Sequence, residues 1–478
     1  MARRLLILLA ALLLALSLGQ SPASAASFAN PVKAQKGADP WISYHDGNYY
    51  LVTTSWTDVI TVRKAPTLAG LATAPSVQVW KGDAASRCCN IWAPELHHLN
   101  GRWYLYYVAG QNVSDYNPTQ RSHVLESAGS DPMGPYTYRG QLNPAWMLDP
   151  HVATVNGALY LFGSTSGGGT QNIVAARMSN PYTVSGSFRT ISTPTLSWER
   201  QGGTVNEGPE ILQRGGRTFL IYSASGCWTP DYKLGQLTLT GSDPLSASSW
   251  TKKATPVLQR DDAAGVYGPG HNGFFTSPDG SESWIVYHAN DSSSDGCDNG
   301  RTARAQKFTW NADGTPDFGA PVALGSGLAG PAGEPSAVLR TYTLTNRNSG
   351  KCLEVAGGST ADGADVRQYA CNGGSNQRWR LEDRGDDTHR LVNAATGKVL
   401  DTADCSSADG ADLRQWSWLD NTCQRFRFLA TDGGHVRIVN QATGKVADVA
   451  NCSTADGADV RQWSWLNNAC QQWRLTPV

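Results

Sequence analysis

Past its first twenty residues the sequence has almost no helical periodicity and no further long apolar run. That argues against a bundle of membrane-spanning helices. Net charge is nearly absent as well, with 39 Lys and Arg against 40 Asp and Glu. A chain balanced in this way has no electrostatic reason to seek nucleic acid or an anionic membrane. Signatures of several other chemistries are missing: there is no G-x-S-x-G nucleophile elbow, no phosphate loop and no H-E-x-x-H zinc helix.

What is present begins with Met1-Ala2-Arg3-Arg4, an apolar stretch from Leu5 to Leu18, and small residues ending in Ala23-Ser24-Ala25. A charged start, a short apolar segment and an A-x-A site make a secretory signal peptide over residues 1–25, so a secreted, extracellular protein is expected. The apolar stretch is short for a membrane anchor. The 10 Cys fit export, where disulfides persist. Six form close pairs in the C-terminal third, at 352/371, 405/423 and 452/470. Cys88, Cys89, Cys227 and Cys297 leave a vicinal bridge or cross-links as alternatives. The 17 Trp and 17 Tyr offer flat faces suited to sugar rings, although core packing accounts for most of them.

The chain reads as short alternating runs introduced by turn pairs. Asp46-Gly47 precedes Asn48–Val52, Asn100-Gly101 precedes Arg102–Tyr107, Asn156-Gly157 precedes Ala158–Phe162, and Gly215-Gly216 precedes Thr218–Tyr222. A turn pair leading into an aromatic strand signals a hairpin, and its recurrence suggests a repeated β-unit of the propeller kind, with an array of β-sandwiches as the alternative. Composition turns to Gly, Ala and Pro near Gly325–Pro335, which divides the chain into an N-terminal domain over 26–325, a linker over 326–338 and a C-terminal domain over 339–478. In the last of these, Glu354, Asp401 and Asp448 recur at a fixed step of 47 residues, as do Gln377, Gln424 and Gln471. Such a period marks one supersecondary unit used three times.

Each C-terminal repeat holds a Gln-x-aromatic element (Gln377-Arg378-Trp379, Gln424-Arg425-Phe426, Gln471-Gln472-Trp473) and a Cys pair. On these motifs the region resembles the ricin B-type lectin trefoil, carbohydrate-binding module family 13. The resemblance implies a β-trefoil in which Glu354, Asp401 and Asp448 bind sugar hydroxyls, with Tyr369, Trp416 and Trp463 as stacking platforms. This chain departs from the pattern in carrying Arg367, Arg414 and Arg461 where the family has Gln, and Glu354 where it has Asp. A trefoil that only packs is the competing expectation.

In the N-terminal domain three acids stand beside Pro or Gly: Asp39 in Ala38-Asp39-Pro40, Asp149 in Leu148-Asp149-Pro150 and Glu207 in Asn206-Glu207-Gly208-Pro209. Alone, each reads as a turn residue. Together, at matching places in successive units, they suit glycoside hydrolysis, which needs one carboxylic acid to protonate the leaving oxygen and another to activate water. Here the chain looks like glycoside hydrolase family 43. That resemblance implies an all-β chain, a five-bladed β-propeller followed by the trefoil, with Asp39 as general base, Glu207 as general acid and Asp149 as the residue that tunes and orients it. It also implies substrate contacts from Trp92 and Glu95 of Trp92-Ala93-Pro94-Glu95, from His271 of Gly270-His271-Asn272, and from Arg304. Salt-bridged structural roles are the alternatives for Glu95 and Arg304, and a hydrogen bond across the axis is the alternative for His271. No cofactor is required, and a structural Ca2+ or Na+ near His271 on the propeller axis is allowed. The expected function is inverting release of α-L-arabinofuranose, exo-acting, by a monomer on plant cell-wall arabinan or arabinoxylan. A β-xylosidase, an endo-1,5-arabinanase and a non-catalytic lectin are the alternatives.

Overall fold

The computed structural model describes residues 27–336 and 339–478, so the expected signal peptide falls outside the described residues. The four turn pairs read from the sequence all form hairpin turns. Both residues of each pair have positive φ, from 46° and 73° at Asp46-Gly47 to 57° and 76° at Gly215-Gly216. Such turns match the right-handed twist of the strands they join.

The resulting sheets are antiparallel meanders. Sheet 1 is Trp41–His45, Asn48–Val52, Val59–Ala65 and Val77–Lys81. Sheet 2 is Cys89–Leu99, Arg102–Gly110, Arg121–Ser127 and Tyr136–Gln141. Sheet 3 opens with Leu148–Val155, Ala158–Gly167 and Thr170–Asn180. Sheet 4 is Asn206–Arg214, Arg217–Ala224, Lys233–Leu239 and Trp250–Lys252. Sheet 5 is Tyr267–Thr276, Ser283–Asn290, Thr302–Trp310 and Pro316–Asp317. Sheets 2–5 stand free in a propeller-like arrangement, whereas sheet 1 runs on into the C-terminal region. The first strand of each sheet faces inward, and neighbouring first strands touch in turn, with that of sheet 5 returning to that of sheet 1.

The N-terminal segment fastens this arrangement. Ser27–Ala29 pairs with Gly327–Ala329, Asn30 exchanges two side-chain hydrogen bonds with Ala305, and the Gly37 N–H donates to the Arg301 carbonyl. Asp39 therefore enters sheet 1 from a segment held by sheet 5. The described part of the stretch read as a linker is docked against the first domain: beyond the Gly327–Ala329 strand, Glu334 is buried and accepts from the Leu68 N–H at 2.9 Å.

The C-terminal region repeats four strands three times. Tyr342–Asn346, Cys352–Val355, Val366–Tyr369 and Trp379–Asp383 recur as His389–Asn393 to Phe426–Ala430 and again as Val436–Asn440 to Trp473–Pro477. Trp379, Phe426 and Trp473 lie in its core. The preceding Gln closes a loop in each repeat. Gln424 Oε1 accepts from the Leu419 N–H at 2.7 Å while its Nε2 donates to the Ser417 carbonyl at 2.9 Å, and Gln377 and Gln471 do the same. The three Cys pairs are bridged, Cys227 joins Cys297, and Cys88 joins Cys89, which settles the open pairing in favour of the vicinal bridge.

The two regions share a sheet and an apolar core. Val77 and Gln78 pair in parallel with Phe428 and Leu429, and one cluster of buried side chains runs from Val62 and Leu105 through Val77 to Phe428 and Trp473. Buried Arg63 pairs with Asp383, and the Ser76 N–H donates to His389 Nε2 at 3.2 Å.

Candidate active site

Each inner strand, or the residue leading into it, carries a residue with left-handed backbone at a corresponding place. These are Asp39 (φ 52°), Ala93 (41°), Asp149 (55°), Gly208 (54°) and His271 (46°). The first four precede Pro40, Pro94, Pro150 and Pro209, which have no N–H to give a ladder. At the last four positions the pairing with the second strand breaks: between Trp92 and Glu95, Leu148 and His151, Glu207 and Glu210, and Gly270 and Gly273. Such bulges re-aim side chains beside active sites. Here they turn Asp149, Glu207 and His271 toward the point where Asp39 enters the first sheet.

The convergence is seen in direct contacts. Asp149 Oδ2 accepts from the Gly208 N–H at 2.9 Å, next to Glu207. His271 Nδ1 lies 3.3 Å from Asp39 Oδ1. Gly208 is glycine for two reasons, since its φ is 54° and a Cβ there would stand 3.2 Å from His271 Nδ1.

The acids differ sharply in environment. Burial alone would raise the Asp39 carboxyl, but His271, Arg301 and His288 outweigh it and hold the group well below the usual carboxylate range. Thr54 Oγ1 donates to Asp39 Oδ2, and the Asp39 N–H donates to His288 Nδ1 at 3.1 Å. His288 is itself pushed down to about 4 by burial and Arg301, so it accepts as a neutral ring. Burial raises Asp149 to about 7, with His271 opposing and Glu207 and Asp39 adding to the rise. Burial raises Glu207 too, against hydrogen bonds from Tyr232 and Gln171, each at 2.8 Å. His271 is raised despite burial, because Asp39, Asp149 and Glu207 all face it. The site thus holds one ionised carboxylate, two acids that favour their protons, and an imidazole that balances the charge.

The other expected contacts divide. Trp92 belongs to an aromatic rim, edge-on to Trp56 at 5.0 Å and to Tyr116 at 5.8 Å. Glu95 is 3 % exposed and bonded to His97 and His151, which is the salt-bridged wall arrangement. Arg304 is fully buried and bonded to Asp291, Thr302 and the Asn290 carbonyl. It is an ion-paired structural residue, and the arginine at the site is Arg301, whose NH1 is 3.5 Å from Asp39 Oδ1 and whose guanidinium lies 6.0 Å from the Trp56 ring. Beside His271, Asn272 is buried with neither amide atom partnered, a feature that suits a hydrated cation.

Sequence reading missed Thr54, Gln171, Tyr232, His288 and Arg301. None adjoins a Pro or Gly in the way that exposed the acids, apart from Arg301 after Gly300.

In the C-terminal repeats each acid is buried and tied to the repeat's arginine. Arg367 Nε donates to Glu354 at 3.1 Å, Arg414 to Asp401 at 3.0 Å and Arg461 to Asp448 at 3.2 Å. The same guanidinium groups lie over Tyr369, Trp416 and Trp463, at 5.3, 4.2 and 4.2 Å from the ring centres.

Residues 28–316 match the model of glycosyl hydrolases family 43. The chain belongs to that family. Residues 334–416 and 422–478 match a ricin-type β-trefoil lectin domain-like model. This family 43 chain is 43 % identical over 321 residues to an extracellular exo-α-(1→5)-L-arabinofuranosidase of Streptomyces avermitilis, a match covering 64 % of this chain and 66 % of that one. It is 36 % identical over 368 residues to α-L-arabinofuranosidase 43 of Humicola insolens, covering 74 % and 71 %. Among solved structures it resembles an α-L-arabinofuranosidase from Lactobacillus brevis, with TM-score 0.59 and 35 % identity over 63 % of this chain and 98 % of the other. As a family 43 member the chain is a glycoside hydrolase.

Proposed function

We propose that this family 43 hydrolase is a secreted, exo-acting α-L-arabinofuranosidase that works with inversion on arabinan or arabinoxylan side chains. In this reading the ring of sheets 1–5 is a five-bladed β-propeller and the C-terminal region a β-trefoil that holds the enzyme, as a monomer, on plant cell-wall polysaccharide. The observation that carries it is the split among three converging acids: Asp39 is driven to the ionised form while Glu207 and Asp149 are driven to the protonated one. Pairs of carboxyls pushed apart by environment are how a site divides base from acid. The names of the arabinofuranosidase relatives supply the sugar.

Asp39 takes a proton from water as that water attacks the anomeric carbon. Glu207 passes its proton to the departing glycosidic oxygen. Burial and the negative charge of Asp39 favour the protonated state of Glu207, Asp149 beside it disfavours ionisation of both acids together, and the Gly208 N–H that Asp149 accepts fixes it to the strand carrying Glu207. Arg301 takes the sugar-binding role that the sequence assigned to Arg304, and it keeps Asp39 ionised. A Na+ or Ca2+ held beside His271 and Asn272 would add fixed positive charge.

The test is product analysis on linear arabinan and arabinoxylan, with the anomer followed by NMR. The proposal expects arabinose alone, first appearing as the inverted β-anomer, and an activity that falls about 10²–10⁴-fold in Glu207→Gln with substrate affinity retained. Oligosaccharide products would favour endo-action, xylose release a β-xylosidase, and absence of turnover a lectin.

A further inference from the structure

Beneath the acids lies a second layer of buried titratable groups that the mechanism above does not use. It comes from the same inner strands, two to four residues further on: Glu95 and His97 from sheet 2, His151 from sheet 3 and Glu210 from sheet 4. Glu95, His151 and Glu210 are each at most 3 % exposed. Two carboxylates converge on one ring nitrogen, since His151 Nδ1 is 2.9 Å from Glu95 Oε2 and 3.0 Å from Glu210 Oε2. The opposite nitrogen, Nε2, accepts from the Ile211 N–H at 3.2 Å. A nitrogen that accepts from an amide carries no proton, so the ring proton sits on Nδ1.

Glu95 Oε2 also receives His97 Nε2 at 2.6 Å and so has two N–H donors, whereas Glu210 Oε2 is buried with no hydrogen bond of good geometry. An ionised carboxylate in that condition is costly, and a neutral acid much less so. Burial and Glu95 both push Glu210 well above the usual carboxylate range, while His151 and His97 outweigh burial at Glu95 and hold it below. At His151 burial opposes charge and the two carboxylates outweigh it, raising the ring to about 10, whereas the Ile211 N–H requires a bare Nε2 and opposes that charge, keeping the ring in its Nδ1-protonated form. The spacing would also place Glu95, His97 and His151 within reach of one metal ion. Coordination through His151 Nδ1 would force the proton onto Nε2, against the Ile211 N–H.

We propose that Glu95, His151 and neutral Glu210 form a clamp that positions Asp149 and Glu207. The ladder is broken between Leu148 and His151, which leaves Asp149 outside regular pairing, and between Glu207 and Glu210, which leaves Glu207 as the last paired residue before the gap. His151 spans that gap. It ties the strand of Asp149 to the strand of Glu207 through Glu210 and the Ile211 N–H, and to sheet 2 through Glu95. These are positioning residues, and their role rests on the assignment of Asp149 and Glu207 made above.

The experiment uses the full chain with Glu210→Ala, Glu210→Gln and Glu95→Gln, measuring kcat and KM on an aryl arabinofuranoside, thermal unfolding, and 15N-histidine NMR of the unsubstituted protein with His151→Gln to assign the signal. A displacement of about 1 Å at an active site costs up to about a hundredfold in rate. Glu210→Ala should therefore lose at least tenfold in kcat with KM within about threefold. Glu210→Gln, isosteric with the neutral acid, should recover kcat to within about threefold, and Glu95→Gln should not recover. His151 should show one protonated and one bare ring nitrogen at neutral pH. An unchanged kcat in Glu210→Ala, a Glu210→Gln as impaired as Glu210→Ala, or a doubly protonated His151 would each overturn the clamp. An unsubstituted enzyme without turnover would sink the functional reading instead, and the NMR signal would still decide the protonation pattern.

Discussion

Single side chains decide the chemistry through their surroundings, and pH exposes this. The Asp39 carboxyl stays ionised far into acid, so no acid limb from the base is expected in the accessible range, whereas activity should fall on the alkaline side as raised Glu207 and Asp149 lose their protons. A profile of kcat/KM with a single alkaline limb checks this. Asp149 also bears on stability. Its folded pKa, about 7, stands above the ordinary value of 3.8, so between those values the folded chain holds a proton the unfolded chain has released. Its contribution is present below the lower value and fades as pH rises through the higher one. Asp149→Asn should accordingly raise Tm at pH 8 while lowering activity, with calorimetry and turnover measured on one preparation. The arginines make a paired test. Arg301→Ala should cost about tenfold or more in kcat/KM with modest loss of stability, whereas Arg304→Ala should lower Tm by emptying a fully buried position and removing its bonds to Asp291 and Thr302. The sequence showed two arginines three residues apart with no means of telling which pointed at the acids, because strand register decides that. The three acids were legible because Pro or Gly beside each betrayed a fixed backbone.

Between residue and molecule, the working unit is the inner strand with a left-handed residue at or leading into the site. Four of the five such positions hold non-glycine residues, a conformation that costs about 1–3 kcal/mol and persists only when surroundings impose it. At Gly208 even alanine meets His271, so Gly208→Ala should reduce activity and lower stability by about 1–3 kcal/mol, read from denaturant unfolding and turnover. The hairpins were predictable from Asn-Gly, Asp-Gly and Gly-Gly pairs, whose chemistry is local. The ladder breaks were not, since they depend on which strand lies alongside. The 47-residue repeat was visible in Glu354, Asp401 and Asp448, but their closure by Arg367, Arg414 and Arg461 was not, as it requires two strands of each repeat to pair. Trp416→Ala and Trp463→Ala together should weaken retention on insoluble arabinoxylan while leaving kcat on a small aryl substrate unchanged, a difference that pull-down and kinetics resolve.

For the whole molecule the division into two domains, plain in sequence, is crossed by structure. The Gly-, Ala- and Pro-rich stretch looked like a tether, yet Glu334 and Gly327–Ala329 are fixed to the first domain. The parallel pairing of Val77 and Gln78 with Phe428 and Leu429 then continues one sheet and one core across the boundary. Unfolding should therefore be a single cooperative calorimetric transition. Asp383→Ala should shift all of it downward, because it removes the carboxylate bonded to the buried Arg63 charge.

That shared strand pair has a mechanical meaning. A lectin on a floppy leash lets its catalyst sweep a sphere of substrate around the anchoring point. If the C-terminal region grips polysaccharide as proposed, a lectin bolted to the first sheet instead offers a single bearing, so the cleavable branches are those at one set distance and angle from where the polymer is gripped. Once these are trimmed, the enzyme must release its hold and land elsewhere, and a grip made tighter than nature's would slow the clearing of a fibre even as it improved attachment.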